Sequence, residues 1–136
     1  MAFFVEWNDY LKINVNNLDA QHKRLTDIAN NFYNIVLSGR NNIAVEEKVL
    51  QDLFDYGKEH FVAEESLMRK NAYPGFSEHR AEHNEHTSEL VELYQRHQRG
   101  KLVDRDILDF IKKWLKGHIL KADKELGLFL NKKGIR

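Results

Sequence analysis

The chain has 136 residues, 42% hydrophobic and 31% charged, which is the composition of a globular domain with a core of its own. Lysine plus arginine and aspartate plus glutamate both number 21, so the chain lacks the basic excess that a nucleic-acid-binding protein shows. Cysteine is absent, which excludes disulfides and thiolate metal ligands. Any metal site in this chain must therefore use histidine and carboxylate side chains.

The N-terminal segment carries no recognisable targeting signal. The apolar run Ala2–Val5 is too short for a signal peptide or a membrane span, and Glu6 interrupts it. We therefore expect a cytoplasmic protein with no membrane segment, built as a single domain over residues 1–136. Residues 1–17 are predicted to form an irregular or extended arm. The side chains predicted to attach this arm to the domain are Trp7, Ile13 and Val15.

Four amphipathic helices are predicted from the 3.6-residue period of the apolar positions, and they cover residues 19–37, 43–70, 77–97 and 106–130. Asp19 and Ser77 are suitable N-cap residues for the first and third helices. Polar or glycine-containing turns at 38–42, 71–75 and 99–104 separate the four segments. Four helices with such short connections favour an all-α fold, an antiparallel up-down-up-down four-helix bundle.

Metal-type side chains recur at one height of this predicted bundle. His60 and Glu64 are four residues apart, and this spacing places both side chains on one helix face. Counting about 1.5 Å of rise per residue from each turn places five further candidates within about 10 Å of the height of His60 and Glu64 along the bundle. The seven candidates are His22, His60, Glu64, His79, His83, His118 and Asp123. Scattered surface histidines would not agree in this way, so the spacing predicts a metal centre.

The step from His118 to Asp123 is the weakest link in this prediction. Five residues correspond to about 140° around an ideal α-helix, so the two side chains would not share one face. Either Asp123 reaches sideways or the helix is locally distorted. Gly117, beside His118, is also unusual in a helix interior, where glycine costs about 1 kcal/mol relative to alanine. It either permits close packing or is simply tolerated.

The number and type of the candidate ligands indicate two metal ions rather than one. Imidazole suits Fe, Cu, Zn and Ni, and imidazole mixed with carboxylate around an open position is typical of iron that reacts with oxygen. If Glu64, Asp123 and a hydroxide all bridge two irons, five imidazoles complete one six-coordinate and one five-coordinate ion. One position then stays open for a small ligand.

Other polar residues near these positions are predicted to lie outside the site. His86 follows His83 by three residues but is displaced from the line of His79 and His83, so we expect it at the surface. His97, near a helix end, is predicted to be a surface or capped residue without a role. Lys121, one turn beyond His118, is predicted to extend to solvent.

The segments that carry these residues resemble those of the prokaryotic single-domain hemerythrins, the bacteriohemerythrins. The similarity extends over nearly the whole chain, and its segments are specific in combination although each is weak alone. They are Trp7; Leu18-Asp-Ala-Gln-His22; His60-Phe-Val-Ala-Glu64; Tyr73-Pro74; His79-Arg-Ala-Glu-His83; and Trp114-Leu-Lys-Gly-His118-Ile-Leu-Lys-Ala-Asp123.

The resemblance implies a non-haem di-iron centre, with bridging oxo or hydroxo groups, that binds O2 reversibly for oxygen carriage, storage or sensing. By the family pattern, one iron is held by His79, His83 and His118, and the iron with the open position is held by His22 and His60. Glu64 and Asp123 are then the bridges. The apolar oxygen pocket would be formed by Leu25, Phe61, Trp114 and Ile119, each within one turn of a ligand.

The same resemblance implies a binding protein rather than an enzyme, although a weak oxidase or peroxidase side activity is compatible with such a site. O2 is the expected ligand. We expect a monomer, with an unknown reductase or oxygen-consuming enzyme as a protein partner. Neither nucleic acid nor a membrane is expected as a partner.

Three alternatives use the same residues. A zinc hydrolase would use His79 and His83 as ligands and Glu82 as the base, but it would not need three further histidines at the same height. A ferritin-like oxidase uses Glu-x-x-His pairs, and no histidine here has glutamate three positions before it. An iron- or NO-handling protein with the same di-iron site remains open.

Overall fold

The computed structural model describes residues 4–136, and four helical rods make up most of this part of the chain. The helices are α1 (Asn16–Leu37), α2 (Ile43–Lys70), α3 (Phe76–Gln98), α4 (Asp104–Lys113), a π-helical segment (Trp114–Asp123) and α5 (Lys124–Lys132). The last three follow one another without a break and form the fourth rod. α1 packs on α2, α2 on α3, and α4 on both α1 and α3. The predicted all-α four-helix bundle is confirmed.

The N-terminal arm is held to the bundle by buried side chains and by hydrogen bonds from its backbone. Ile13 and Val15 are buried as predicted, and Trp7 is half-buried. The backbone N–H groups of Phe4 and Val5 both donate to Oδ1 of Asn30 on α1, at 2.8 and 2.9 Å. A short 3-10 turn, Asp9–Leu11, interrupts the arm. Residues 1–3 of the predicted arm, and with them part of Ala2–Val5, lie outside the described residues.

The start of α1 corrects the sequence prediction. The helix begins at Asn16, with Val15 at the N-cap, so Asp19 lies inside its first turn rather than at its cap. The buried Asp19 carboxylate accepts instead from the backbone N–H groups of Ile13 and Asn14, at 2.7 and 3.0 Å. A carboxylate that satisfies buried N–H groups of the preceding loop fixes the arm and does not mark the helix boundary.

Two further helices have boundaries that differ from the prediction by one or two residues. α3 begins at Phe76 with Gly75 at its N-cap, so Ser77 does not cap it. The fourth rod begins at Asp104 and ends at Lys132, beyond the predicted 106–130. The predicted bounds of α2 are correct, and Asn42 caps this helix by accepting from the backbone N–H of Val45 at 2.9 Å.

The hydrophobic core has two parts with a polar layer between them. The larger part includes Leu25, Tyr56 and Ile119, and the smaller part includes Leu18 and Leu126. On three rods the predicted metal ligands lie between residues of the two parts, so apolar side chains close the layer at both ends. Among the described residues, no helix has the length and apolar character that crossing a bilayer requires.

Candidate metal centre

The seven predicted ligands meet in the polar layer, and each rod contributes. α1 carries His22, α2 carries the next two, α3 carries two histidines, and the π-helical segment carries the last two. Their side chains are 0–3% exposed: His22, His60, Glu64, His79, His83, His118 and Asp123. Buried ionisable groups are rare unless they are paired or bind a metal. The structure therefore brings together every side chain that the spacing predicted to converge.

Three histidines surround one side of the two carboxylates. Oδ1 of Asp123 lies 2.9 Å from Nε2 of His79 and 3.0 Å from Nε2 of His118. Oε1 of Glu64 lies 2.9 Å from Nε2 of His83 and 3.2 Å from Nε2 of His79. All three imidazoles thus present Nε2 to the same small space.

The other two histidines lie on the opposite side of the same carboxylates. Oδ2 of Asp123 lies 2.8 Å from Nε2 of His22 and 3.4 Å from Nε2 of His60. Oε1 of Glu64 lies 3.3 Å from Nε2 of His60. Asp123 therefore directs one oxygen to each histidine group.

The seven side chains thus form two overlapping sets, in each of which the candidate ligand atoms lie within 4.8 Å of one another. One set is Glu64, His79, His83, His118 and Asp123, and the other is His22, His60, Glu64 and Asp123. Glu64 and Asp123 belong to both sets. Two carboxylates shared between a three-histidine and a two-histidine group is the arrangement that two bridged metal ions require.

The π-helical segment resolves the spacing problem between His118 and Asp123. In a π-helix the backbone hydrogen bond spans five residues, so the residues at i and i+5 lie one above the other. Trp114–Asp123 is π-helical, and both side chains face the layer. Of the two possibilities that the sequence left, the helix is locally distorted. Single π turns inside α-helices are often found at functional sites.

The donor set fits metal cations better than it fits a metal-free core. Nε2 of His83 lies 3.0 Å from Nε2 of His118, and Nε2 of His22 lies 3.3 Å from Nε2 of His60. Facing ring nitrogens repel one another unless a proton or a cation lies between them. Oε2 of Glu64 is buried, and no group of residues 4–136 donates a hydrogen bond to it. Cations in both histidine groups would remove the repulsion and satisfy the carboxylates.

The shifted pKa values show the same competition between burial and charge. Burial lowers the pKa of His60, but the Glu64 and Asp123 carboxylates outweigh it and raise this pKa to about 9. His79 shows the same balance, also to about 9. Burial raises the pKa values of Glu64 and Asp123, and the Asp123 charge raises that of Glu64 further, yet the neighbouring histidines hold both well below their ordinary range. The site thus favours positive charge beside two ionised carboxylates.

Hydrogen bonds from outside the layer orient two of the imidazoles. Nδ1 of His60 lies 2.7 Å from Oε1 of Gln21, and Nδ1 of His83 lies 2.9 Å from Oε2 of Glu65. An acceptor at Nδ1 fixes the tautomer in which Nε2 is free to bind a metal. The sequence analysis missed both partners. The available signal was their position directly beside His22 and Glu64.

The four predicted pocket residues also lie together. Leu25, Trp114 and Ile119 are buried in the larger core, and Phe61 packs against it. The Phe61 ring stacks on His83 with centroids 4.0 Å apart and on Trp114 at 5.3 Å. Apolar groups therefore cover the layer next to His83 and Trp114. Lys121 is exposed, as predicted.

Two histidines that were predicted at the surface are buried. His86 is 7% exposed because its ring stacks on Trp114, with centroids 5.3 Å apart and planes 3° apart. Burial, followed by the charge of His118, lowers the pKa of His86 to about 4. His97 is 2% exposed and lies at the far end of the core, 3.7 Å from the Glu46 carboxylate. Neither belongs to the metal-type clusters of the described residues.

A cavity of about 380 Å³ opens between α2 and α3 and extends to the pocket residues. Its inner wall is formed by Leu53, Gly57, Phe61, His86, Leu90 and Trp114. Tyr56, one turn before His60, is fully buried beside this wall, and its pKa is raised well above the ordinary value by burial and by the Asp123 and Glu64 carboxylates. The sequence analysis did not identify Tyr56 as a residue of the site.

Comparison with known proteins points to the same kind of metal-binding protein, and the matches extend over nearly the whole chain. Residues 14–129 match the family model for the hemerythrin HHE cation binding domain. Bacteriohemerythrin of Methylococcus capsulatus is 35% identical over 116 residues, covering 84% of this chain and 86% of the relative. Bacteriohemerythrin of Stenotrophomonas maltophilia is 30% identical, covering 91% and 79%. The crystal structure of a wild-type hemerythrin, 32% identical, superimposes with a TM-score of 0.82 and covers 93% of this chain and 97% of its own.

Proposed function

Because the chain belongs to the hemerythrin family, we propose that it binds O2 reversibly at a non-haem di-iron centre. His79, His83 and His118 would hold one iron, and His22 and His60 the other. Glu64 and Asp123 would bridge the two, together with an oxo or hydroxo group. The iron pair would supply the electrons that make O2 binding reversible without a haem.

One observation carries this proposal: the two buried carboxylates are shared by three imidazoles on one side and two on the other. This asymmetry gives the two metal positions unequal numbers of protein ligands. The position beside His22 and His60 would have room for a small ligand, whereas the position beside the three histidines would be filled. A protein that only stored iron would have no need for this difference.

The residues around the layer have their own part in this function. Leu25, Trp114 and Ile119 are buried apolar groups at the layer, and we propose that they line the oxygen pocket with Phe61. An apolar wall excludes water and protons, and both promote irreversible oxidation of the iron. Gln21 and Glu65 would keep His60 and His83 in the tautomer and orientation that binding requires.

The zinc hydrolase alternative is disfavoured by the position of Glu82. A catalytic base must reach water held by the metal, on the Nε2 side of the ligand imidazoles. The Glu82 carboxylate instead lies 3.7 Å from Nδ1 of His118, outside the layer, with 42% of its side chain exposed. The same three-histidine group also faces Glu64 and Asp123, which a single zinc site does not need.

A metal assay followed by exposure to air tests the proposal. Protein loaded anaerobically with ferrous iron should contain two irons per chain and remain nearly colourless. Air should then produce a visible absorption band, and removal of O2 under vacuum should reverse it. Zinc in place of iron, one iron per chain, or a colour change that cannot be reversed would contradict the proposal.

The remaining expectations stay predictions. We propose a monomer located in the cytoplasm, built as one domain over residues 1–136, and supplied with electrons by a reductase or coupled to an oxygen-consuming enzyme. Sedimentation of the iron-loaded protein measures its oligomeric state directly, and the expected mass is that of a single chain of 16.1 kDa.

A further inference from the structure

Tyr56 has a buried hydroxyl group without a hydrogen-bond partner among the described residues. The side chain is 0% exposed and is among the largest that are fully buried. Buried hydroxyl groups in folded proteins nearly always have a partner, because water can no longer satisfy them. The unpaired hydroxyl therefore points to an acceptor that the protein itself does not provide.

The Tyr56 ring lies on the side of the layer where a small ligand would bind. It precedes His60 by one turn of α2, and the two rings are stacked, with centroids 5.4 Å apart and planes 13° apart. His60 belongs to the two-histidine group, whose metal position has fewer protein ligands. The tyrosine ring also contacts Trp114 at 5.5 Å and shares the core with Leu25 and Ile119. Its neighbours are therefore those of the proposed oxygen pocket.

Trp114 also has a buried donor, Nε1, without a hydrogen-bond partner among the described residues, but its ring stacks on Phe61 and His86 rather than on a histidine of the two-histidine group. It stacks between Phe61 and His86, and these two rings contact His83 and His118 of the three-histidine group. Tyr56 thus has an unpartnered donor among the described residues, and its ring stacks directly on an imidazole of the two-histidine group.

The exposed Arg24 covers the Tyr56 ring from outside the bundle. Its guanidinium carbon lies 5.7 Å from the ring centroid, and its Nη1 pairs with the Glu59 carboxylate at 2.7 Å. A tyrosine hydroxyl has an ordinary pKa of about 10, so at neutral pH it carries a proton and can donate it. The acceptor that suits it is an oxygen or nitrogen atom with negative charge.

We propose that the Tyr56 hydroxyl donates a hydrogen bond to the small ligand that occupies the pocket beside His22 and His60. This inference rests on the proposed function, and it assigns Tyr56 as a ligand-binding residue that favours dioxygen and small anions over ligands that accept no hydrogen bond. Azide is a suitable probe because it is small, anionic and an acceptor.

The test compares Tyr56→Phe with Tyr94→Phe, which removes the same hydroxyl from a half-buried ring packed against Phe54 on the larger core. Both variants and the unmodified chain are loaded with iron, oxidised and titrated with azide by absorption. Tyr56→Phe should raise the dissociation constant for azide about tenfold, the loss expected for one hydrogen bond to a charged acceptor. Tyr94→Phe should leave it unchanged. An equal dissociation constant in Tyr56→Phe would overturn the inference.

A second measurement needs no metal. In metal-free protein the hydroxyl has no partner to lose, so Tyr56→Phe should unfold in urea at the same concentration as the unmodified chain or at a higher one. A clear loss of stability would show that the hydroxyl is already paired within the protein and would overturn the inference. An unmodified chain that takes up no iron would contradict the proposed function as well. If the unmodified chain binds iron and azide normally and Tyr56→Phe has the same dissociation constant for azide, only the role of Tyr56 is contradicted.

Discussion

Three buried histidines of this bundle have three different surroundings. His118 faces two carboxylates and two further imidazoles, and its pKa is raised well above the ordinary value because the carboxylates outweigh burial. His86 faces aromatic rings, and its pKa falls to about 4 because burial dominates. His97 has no hydrogen-bond partner among the described residues at either ring nitrogen and is buried near Glu46. Burial alone therefore does not identify a ligand, whereas convergence with carboxylates does.

This difference predicts the effect of removing each ring. His118→Ala should lose the iron beside the three histidines, so that iron content falls from two per chain to one or fewer, because an open position and a water molecule replace a buried ligand. His97→Ala removes an equally buried imidazole and should leave iron content at two, while it lowers the free energy of unfolding by about 2 kcal/mol through the cavity it creates.

Iron per folded chain, measured by metal analysis after gel filtration, distinguishes the two variants. Circular dichroism of the same fractions shows whether each is folded. Equal iron losses in both variants would mean that the assignment of His118 as a ligand is wrong.

At the scale of the helices, the fourth rod departs from regular geometry where the site needs it. The π-helical segment Trp114–Asp123 lies between the regular helices α4 and α5. Its wider turn directs both His118 and Asp123 into the layer, which an α-helix would not do. α5 then continues with Leu126 and Leu130 buried in the smaller core part. The distortion therefore lets one rod supply two ligands and still pack at both ends.

The arm and the fourth rod approach each other closely at Gly127. A Cβ atom at this position would lie 2.5 Å from the backbone oxygen of Ile13, closer than the two atoms can pack. Gly127→Ala should therefore displace the arm and lower the free energy of unfolding by about 2 kcal/mol, in the range of core overpacking. Gly117→Ala is the matched control, because a Cβ there would meet no described atom within 4 Å beyond its chain neighbours and its own helix backbone.

The control should raise the free energy of unfolding by up to about 1 kcal/mol, since alanine is the better helix former. Urea denaturation of the metal-free variants measures both effects. Gly127→Ala as stable as the unmodified chain would show that the close contact with Ile13 is not maintained in solution.

At the scale of the whole molecule, the chain encloses a charged layer in a core that is otherwise apolar. The net charge of the sequence is zero, but the site concentrates two carboxylates and five imidazoles between the two parts of the hydrophobic core. Without metal, the layer holds its carboxylates by protonating histidines. The stability of the metal-free fold must therefore depend on pH.

The direction of this dependence follows from the pKa values of His60 and His79, both about 9 in the folded chain against an ordinary 6.5. A raised histidine pKa contributes stability that is complete below pH 6.5 and is lost as the pH rises through 9. The metal-free protein should thus lose on the order of 3 kcal/mol of unfolding free energy for each of these two histidines between pH 6.5 and 9.5. Iron-loaded protein should lose much less, because metal replaces the protons.

Urea denaturation at several pH values, with and without iron, measures this difference. Metal-free protein whose stability is constant or rises over this range would contradict protonated imidazoles in the layer.

Glu64 and Asp123, whose pKa values are depressed, give the opposite dependence at acid pH. Their contribution is present above pH 4.5 and is lost as the pH falls through their folded values.

The sequence by itself determined the helices and the height of the site. Apolar periodicity and short polar turns predicted four rods, because a 3.6-residue period is a local property of the chain. The similar distances of the seven residues on the two sides of each turn predicted their convergence to within about 10 Å, because antiparallel rods preserve height and rise per residue is constant. Cap assignments were less certain: Asp19 and Ser77 are good cap residues, but one binds the arm and the other lies inside its helix.

Only the tertiary structure decided how the rods are rotated and what covers each side chain. The π-helical turn that aligns Asp123 and the burial of His86 under Trp114 depend on contacts between rods. The burial of the Tyr56 hydroxyl, which has no partner in the described part of the chain, also depends on such contacts. Spacing along one chain specifies height within a bundle, but orientation and burial depend on atoms that are distant in sequence and close in space.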